Sequence, residues 1–269
     1  MFVKKNQNII NRKKISDKRC YFYRKKILEI SQKVEALHIG GSFSSTEILD
    51  WILNEKISAK KKFILSKGHI GIMLYTILFF QKKLTKSQLN NYCKKDGILG
   101  VHPEITIPGV EASTGSLGHG LGLAAGMSLS KKFKEIYVLI SDGELMEGSV
   151  WEYVLTISSL KLNNIILIVD NNDLQSATRA SDTHKTLYPI ESKFKSFHWD
   201  CYTCKGHDVM DIEKKLSLKN GNKPLAIVAK TIKGFPISFM QNVPKWHYRS
   251  PDQKELQTSL NELKKFYEK

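Results

Sequence analysis

Acidic and amide side chains follow two apolar segments of the sequence and could bind a divalent cation. Asp142 comes soon after the apolar run 137–140, and Asn172 follows the apolar run 165–169. Carboxylate, amide and carbonyl oxygens are the ligands that Mg²⁺ and Ca²⁺ prefer, and phosphate oxygens often complete the octahedron around Mg²⁺. Gly143 would let the main chain approach such a phosphate closely. Because Asp-Gly and Asn-Asn are also common in ordinary turns, the pattern alone leaves both interpretations open.

A glycine-rich segment and four histidines are the other candidates for chemistry. The segment 114–122 has the sequence TGSLGHGLG and leads into a predicted helix whose free N–H groups could meet an anion. It fits neither the Walker A nor the Rossmann dinucleotide pattern. His38, His69, His102 and His247 each stand at a turn-like position. A single histidine in a loop is more often only solvated, but four can together bind phosphate or hydroxyl oxygens and move protons.

Three short apolar segments rich in β-branched residues predict the strands that position these side chains. They occupy 137–140, 165–169 and 225–229, and such runs are typical of buried parallel strands. Apolar residues at helical spacing over 149–160 predict a helix between the first two strands. We therefore predict an α/β fold with a mostly parallel central sheet and helices on both faces. Parallel strands end at one edge of the sheet, where open α/β folds bind their ligands.

Helices are predicted at both ends of the chain. An amphipathic pattern extends over about 18–36, and the small residues of 38–41 predict a turn after it. Ser44 and Glu47 have the spacing of a capping box, which predicts that the next helix begins there. Charged and apolar residues alternate over 252–267, and this pattern predicts a surface helix.

The composition limits the class of protein. The chain has 269 residues, of which 41% are hydrophobic, and 42 Lys+Arg against 26 Asp+Glu give a formal charge of +16. No apolar run approaches the roughly 20 residues that a membrane span needs. Polar residues follow Lys4 and Lys5 where a secretory signal would be apolar, so we predict a cytoplasmic protein. The basic residues occur as scattered pairs, whereas nucleic-acid binding favours a concentrated basic stripe. Such pairs are typical of solvated helix faces, and a general attraction for phosphorylated anions is the alternative interpretation.

The four cysteines give no sign of a disulfide framework or a zinc site. They are Cys20, Cys93, Cys201 and Cys204. Only the last two form a Cys-x-x-Cys pair, and without a second pair they lack the ligand count of structural zinc. We predict structural thiols.

Several motifs occur together in a characteristic order. They are SKGH at 66–69, VHPE at 101–104, PGVE at 108–111, TGSLG at 114–118, Asp142-Gly143 with Asn172, and WH at 246–247. In this order and at these spacings, from about residue 20 to residue 250, the sequence resembles the thiamine diphosphate-dependent transketolases. The resemblance covers only the amino-terminal half of a full-length transketolase. It implies that residues 1–269 form a single diphosphate-binding domain with the thiamine diphosphate-binding fold, and that the pyrimidine-binding domain is absent from this chain.

The resemblance implies a site for the cofactor and a metal ion. Mg²⁺, or Ca²⁺ or Mn²⁺ in its place, would be held by Asp142, Asn172 and the main-chain carbonyl of Leu174. Thiamine diphosphate would be contacted by His69, Gly115, Ser116, Leu117, Gly143, Asn172 and His247. The usual Gly-Asp-Gly of the family occurs here with Ser141 in the first place, which keeps both the metal ligand and the second glycine.

The resemblance also implies roles toward the substrate and a second active site. His38, His102 and His247 would be catalytic residues that bind substrate hydroxyls and move protons. Glu147 resembles the interface glutamate that couples two active sites in the family. His198 and Tyr248 stand where the family often has glycine, so the shape of the substrate channel is expected to differ.

The implied activity is transfer of a two-carbon ketol unit from a ketose to an aldose. We expect the ketose to be phosphorylated. In this family the glutamate that activates the cofactor, the aromatic side chain under its pyrimidine and the arginines for sugar phosphate belong to the pyrimidine-binding half. The chain would therefore need a separate C-terminal transketolase subunit. Active sites between the chains of a hetero-oligomer, by analogy a two-fold heterotetramer, would receive the sugar or sugar-phosphate substrates.

The sequence is also compatible with other functions. The alpha chain of a 2-oxoacid dehydrogenase, or a relative of the deoxyxylulose-phosphate synthases, would share the metal pair, although the motifs at 66–69 and 246–247 fit transketolase better. A specialised transketolase that builds an unusual sugar would carry its substrate contacts largely in the other half. A non-enzymatic basic binding protein on the same fold has only the charge of +16 in its favour.

Overall fold

Five parallel strands form the central sheet, in the order β1-β2-β3-β7-β6. The computed structural model describes residues 2–176 and 178–268. The strands are β1 (Lys61–Leu65), β2 (Glu135–Ser141), β3 (Ile165–Asn171), β6 (Asp200–Lys205) and β7 (Leu225–Lys230). Two short segments, β4 (Leu174–Gln175) and β5 (Thr178–Arg179), pair antiparallel beyond the end of β3. The three predicted strands are β2, β3 and β7, and they are adjacent in the sheet.

Helices lie before, between and after these strands. They are α1 (Phe2–Ser31), α2 (Ile39–Ser44), α3 (Thr46–Glu55), α4 (Gly71–Phe80), α5 (Lys86–Asn90), α6 (Gly120–Leu129), α7 (Gly148–Ser159), α8 (Ala180–Thr183), α9 (Ile190–Ser196), α10 (Val209–Leu216) and α11 (Gln253–Tyr267). Short 3₁₀ turns occupy Gly68–Ile70, Gly143–Met146, Lys185–Leu187 and Pro244–His247. None of the helices that the structure describes has the length and apolar content to cross a membrane.

Alternate residues of each strand pack on opposite faces of the sheet, and helices cover both faces. On one face, α1, α3, α4, α10 and α11 contribute to the core with Tyr137 and Ile168. On the other, α6, α7 and α9 pack against Val138 and Leu167. A strand buried on both faces must be apolar throughout, which is why β2 and β3 have continuous apolar runs. The ends of these two strands are aligned, with Ser141 opposite Asp170.

The amino-terminal region departs from the prediction in its details. The predicted helix over 18–36 is present as α1 but ends at Ser31, and the residues 38–41 belong largely to α2 instead of a turn. The capping box is wrong. Ser44 Oγ donates to Asp170 Oδ2 at 2.6 Å, and α3 begins without a side-chain cap. The carboxylate of Glu47 is bound by Arg24 instead. Ser44 and Glu47 are therefore bound to buried charged groups that are distant in the sequence, and neither side chain caps the helix.

The cysteines are free thiols, as the sequence predicts for structural residues. Cys201 belongs to the core on one face of the sheet and Cys204 to the core on the other. This follows from their spacing, because residues three apart in a strand point in opposite directions. The pair therefore cannot share a metal ion.

Candidate active site

The end of β3 carries a buried ion pair that forms the floor of the site. Asp170 is 0% exposed and Lys67 is 1% exposed, and Lys67 Nζ lies 2.5 Å from Asp170 Oδ2. The hydroxyls of Ser44, Ser45 and Thr231 also donate to this carboxylate. Burial alone would raise the pKa of Asp170, but Lys67 and the hydroxyls hold it below its usual value. We call Ser44, Ser45, Lys67, Asp170 and Thr231 the Asp170 cluster.

Asp142, the first predicted metal ligand, is fully buried just beyond the end of β2. Its Oδ2 accepts from the N–H of Asp173 at 2.5 Å, and its Oδ1 accepts from the N–H of Gly143 at 2.9 Å. Burial, followed by the charge of Asp170, raises the pKa of Asp142 to about 7. A cation bound beside this carboxylate would favour its charged form.

The other two predicted metal ligands lie at the same turn. Asn172 Nδ2 donates to Asp170 Oδ2 at 3.1 Å, and Asn172 Oδ1 accepts from the N–H of Leu174 at 3.1 Å. Since Asp142 reaches the amide of Asp173, its carboxylate lies beside both residues. In the described part of the chain, no group of three or more His, Cys, Asp or Glu side chains could hold a metal ion. A cation at this turn would therefore depend on amide and carbonyl oxygens as well.

A cavity of about 360 Å³ opens above this turn and collects most of the predicted cofactor residues. The predicted residues that line it are His38, His69, Gly115, Leu117, Gly143, Glu147, Asn172, Leu174 and His247. His102 and Ser116 line a second cavity of about 820 Å³, which shares Gly115 with the first. A Cβ atom on Gly115 would lie 3.2 Å from Cγ of His102, so the imidazole packs over this glycine. The predicted site residues thus occupy two adjoining cavities and the buried floor beneath one of them.

Three histidines meet in the first cavity. The ring centroids of His38 and His69 are 5.2 Å apart, and those of His38 and His247 are 5.3 Å apart. Burial, followed by neighbouring positive groups, lowers the pKa of His38 and of His247 to about 4. Burial likewise holds the pKa of His69 below its usual value. These three residues, the imidazole cluster, are neutral at pH 7 and can donate hydrogen bonds without carrying charge.

Comparison with known proteins decides the family. The family model described as the thiamine diphosphate binding domain of transketolase matches residues 52–264. The chain is 35% identical over 264 residues to one subunit of the apulose-4-phosphate transketolase of Actinobacillus succinogenes, covering 92% of this chain and 95% of that protein. It is 31% identical over 261 residues to the protein of the same name from Phocaeicola vulgatus, covering 91% and 92%. The chain belongs to the transketolase family.

Longer members of the transketolase family match over part of their length. The transketolase of Homo sapiens is 35% identical over 191 residues, which cover 69% of this chain and 30% of that protein. The crystal structure of transketolase from Campylobacter jejuni superposes with a TM-score of 0.86 at 24% identity, covering 94% of this chain and 43% of that one. The predicted family, the α/β fold and the transferase class are confirmed. The roles of the individual site residues stay predictions.

Lys233 is a residue of this transketolase-family site that sequence reasoning missed. It is 2% exposed, and its Nζ donates to the carbonyl of Leu174 at 3.2 Å and to Nδ1 of His247 at 2.9 Å. An ammonium group has no lone pair, so Nδ1 of His247 must accept and its proton resides on Nε2. Burial, followed by the charge of Lys67, lowers the pKa of Lys233 to about 8. Unlike Lys67, it has no carboxylate partner among the described residues.

A second missed residue, Glu144, fastens the glycine-rich loop to the site. It is fully buried and accepts from Ser66 Oγ and from the N–H of Gly118 at 2.8 Å. Gly118 has a φ of +88°, and a Cβ there would lie 2.9 Å from the Cβ of Glu147, so only glycine fits. Glu147 itself is exposed at the rim of the cavity. The motif at 114–118 is therefore a loop shaped by Glu144, and α6 begins after it.

Proposed function

We propose that this chain is the diphosphate-binding subunit of a two-chain transketolase that moves a two-carbon ketol unit from a phosphorylated ketose to an aldose. The observation that carries the proposal is the convergence of Asp142, Asn172 and Leu174 on one turn, beside a cavity that holds a buried lysine and three neutral imidazoles. Thiamine diphosphate, when bound, would supply the reactive carbon and the electron sink. The chain would supply binding, orientation and charge.

Asp142, Asn172 and the carbonyl of Leu174 would hold Mg²⁺. Each of these oxygens already accepts one hydrogen bond in the structure, and each keeps a further lone pair for a cation. Mg²⁺ would favour the charged form of Asp142, whose pKa is raised to about 7 by burial. The donor set is oxygen only, as Mg²⁺ requires.

Lys233 and the imidazole cluster would bind the diphosphate. Lys233 is a buried cation beside the predicted metal ligand Leu174, and a phosphate oxygen would provide it with an anionic partner. His247 presents Nε2–H because Lys233 occupies its Nδ1. His69 lines the same cavity. Neutral imidazoles are suited to this task, because they donate hydrogen bonds without adding to the charge that burial penalises.

His38 and His102 would bind the hydroxyls of the sugar. His38 lines the first cavity and His102 the second, and the two cavities adjoin at Gly115. An imidazole can accept or donate a proton, which ketol transfer needs when the carbon–carbon bond breaks and forms. Ser116 and Leu117 would line the cofactor on the side of its pyrimidine.

We further propose that a separate C-terminal transketolase subunit brings the pyrimidine-binding domain. The support is that the relatives from Phocaeicola vulgatus and Actinobacillus succinogenes, whose names describe them as subunits, match over 92% and 95% of their own length. The Homo sapiens transketolase, by contrast, matches over 30% of its length. Glu147 is exposed at the rim of the cavity and would lie in the interface of this hetero-oligomer. The four free thiols support a cytoplasmic location, where thiols stay reduced.

A specialised sugar substrate is the second candidate. The relatives from Actinobacillus succinogenes and Phocaeicola vulgatus, which match over nearly their whole length, carry the name apulose-4-phosphate transketolase. We therefore propose apulose-4-phosphate as one substrate to test beside the common ketose phosphates.

The experiment is a thermal-shift titration of the full chain with thiamine diphosphate, with and without Mg²⁺. Ligand that binds only the folded state raises the melting temperature, by an amount that corresponds to about 2.7 kcal/mol at a concentration of 100 Kd. We expect this rise only with Mg²⁺, and we expect Asp142→Ala to abolish it while the exposed Asp182→Ala leaves it intact. No cofactor response, even in the presence of the partner subunit, would contradict the proposal. Full ketol transfer by the chain alone would contradict the divided site.

A further inference from the structure

The residues that follow β7 hold Lys233 through their main chain. The N–H groups of Thr231 and Gly234 each donate to a main-chain carbonyl, at 3.1 and 3.0 Å. Between them, the N–H of Ile232 donates to Nε2 of His207 at 2.9 Å. Of these three amides, that of Ile232 is the one that donates to a side chain.

His207 has a defined pattern of donor and acceptor. Since Nε2 accepts the amide hydrogen of Ile232, the ring proton resides on Nδ1, which donates to Oε2 of Glu47 at 2.9 Å. The ring stacks on Phe235, with centroids 3.9 Å apart, and the side chain is 15% exposed. The imidazole thus joins α3 to the segment that carries Lys233.

Glu47 is itself fixed from a third element. Arg24, in α1, is fully buried, and its Nη1 and Nη2 lie 2.5 and 2.9 Å from Oε1 and Oε2 of Glu47. Such a two-point contact between guanidinium and carboxylate restricts the orientation of both groups. We call these three residues the Arg24–Glu47–His207 network. It gives His207 a rigid attachment that does not involve the cavity.

The far end of Lys233 reaches the cavity that His207 does not line. The Nζ of Lys233 contacts Leu174 and His247. Its main chain adjoins Ile232, whose N–H donates a hydrogen bond to His207. We propose that His207 is a positioning residue: by holding the main chain at Ile232 it aims Lys233 into the cavity, and it thereby sets the affinity of the site for diphosphate. The inference rests on the proposed function, in which Lys233 meets the diphosphate.

Two substitutions separate the two hydrogen bonds of the imidazole. His207→Gln places an amide near the position of Nε2 and can accept from Ile232, whereas His207→Asn places its amide near Nδ1 and can contact only Glu47. We measure hydrogen exchange of the peptide that contains Ile232 by mass spectrometry, in the full chain without cofactor. The expected result is faster exchange there in His207→Asn, by about fivefold for the loss of one hydrogen bond, and a rate within about twofold of the wild type in His207→Gln.

The second readout is affinity for thiamine diphosphate in the presence of Mg²⁺, measured by calorimetry. His207→Asn should weaken binding about fivefold and His207→Gln should largely restore it. Glu213→Gln is the control for lost stability, because it removes the charge that pairs with Lys56 at a partly buried site, and it should change neither readout. Equal exchange in both His207 variants and the wild type would overturn the inference. If the wild type binds no cofactor, the proposed function fails. The exchange rates then still show whether His207 holds the main chain at Ile232.

Discussion

Two groups of charged and polar residues at the same edge of the sheet differ in how completely the protein satisfies them. In the Asp170 cluster, the carboxylate accepts from a lysine and three hydroxyls and is fully buried. In the cavity, Lys233 contacts a carbonyl and a histidine and has no carboxylate partner among the described residues. The first group is complete without a ligand. The second would gain from an anion, which is why we assign structure to one and binding to the other.

The strongest test of this difference is removal of the buried carboxylate. Asp170→Ala leaves Lys67 buried without its partner, and breaking such a pair costs about 3 to 5 kcal/mol of the free energy of unfolding. Urea denaturation measures this loss. Glu111→Ala is the control, because Glu111 pairs with Lys62 at a partly exposed site, where a pair contributes about 1 kcal/mol or less.

A double variant distinguishes an unpaired charge from a lost shape. Lys67→Met combined with Asp170→Leu removes both charges, so it should recover a large part of the stability lost in Asp170→Ala. If Asp170→Ala cost no more than Glu111→Ala, the Asp170 cluster would not be the structural unit that we describe.

The Arg24–Glu47–His207 network extends the paired group away from the cavity and predicts a dependence on pH. Burial alone would raise the pKa of Glu47, but Arg24 and His207 lower it to about 2. The stabilisation is then complete above the ordinary pKa of about 4.5 and is lost as the pH falls toward 2. Between pH 6 and pH 3 the wild type should lose about 2 kcal/mol more than Glu47→Gln, measured by urea denaturation. The exposed Glu152→Gln should follow the wild type. Equal slopes for Glu47→Gln and the wild type would contradict the network.

The cavity should show the opposite behaviour, a large effect on binding with little effect on folding. His247→Ala removes the Nε2–H that we assign to the diphosphate, and the loss of a hydrogen bond to a charged group weakens binding about tenfold. Calorimetry with thiamine diphosphate and Mg²⁺, in the presence of the partner subunit, measures this change. His184→Ala, an exposed histidine outside this cavity, is the control. A variant with unchanged affinity and a large loss of stability would reverse our division between binding and structure.

The sequence was a good guide to the cavity and a poor one to the floor beneath it. Asp142 and Asn172 follow apolar runs, and a local pattern is enough to place such residues at one edge of the sheet. Lys67 and Asp170 are 103 residues apart, and Ser44 and Asp170 are 126 apart. Nothing local marks a lysine that will be buried against a distant carboxylate, because its burial depends on a partner that only the fold supplies.

The two ends of the chain show the same lesson in helix capping. Ser44 and Glu47 have the spacing of a capping box, but buried partners take both side chains. Asp252 and Glu255 have the same spacing at the start of α11 and do form the box. The sequence pattern shows only that a capping box can form. Whether it forms depends on competition from other hydrogen-bond partners of the same side chains.

The smallest effect should come from that surface cap. Asp252→Ala removes the acceptor for the N–H of Glu255, at 2.8 Å, and costs about 1 kcal/mol of the free energy of unfolding. Urea denaturation measures the loss, and Asp252→Ser, which keeps an acceptor, should recover most of it. Thiamine diphosphate affinity should not change, because α11 packs on the α1 side of the sheet and does not line the cavity. A change in affinity here would mean that the carboxyl-terminal helix and the cavity are coupled. It would contradict the assignment of structure and of ligand binding to separate groups of residues.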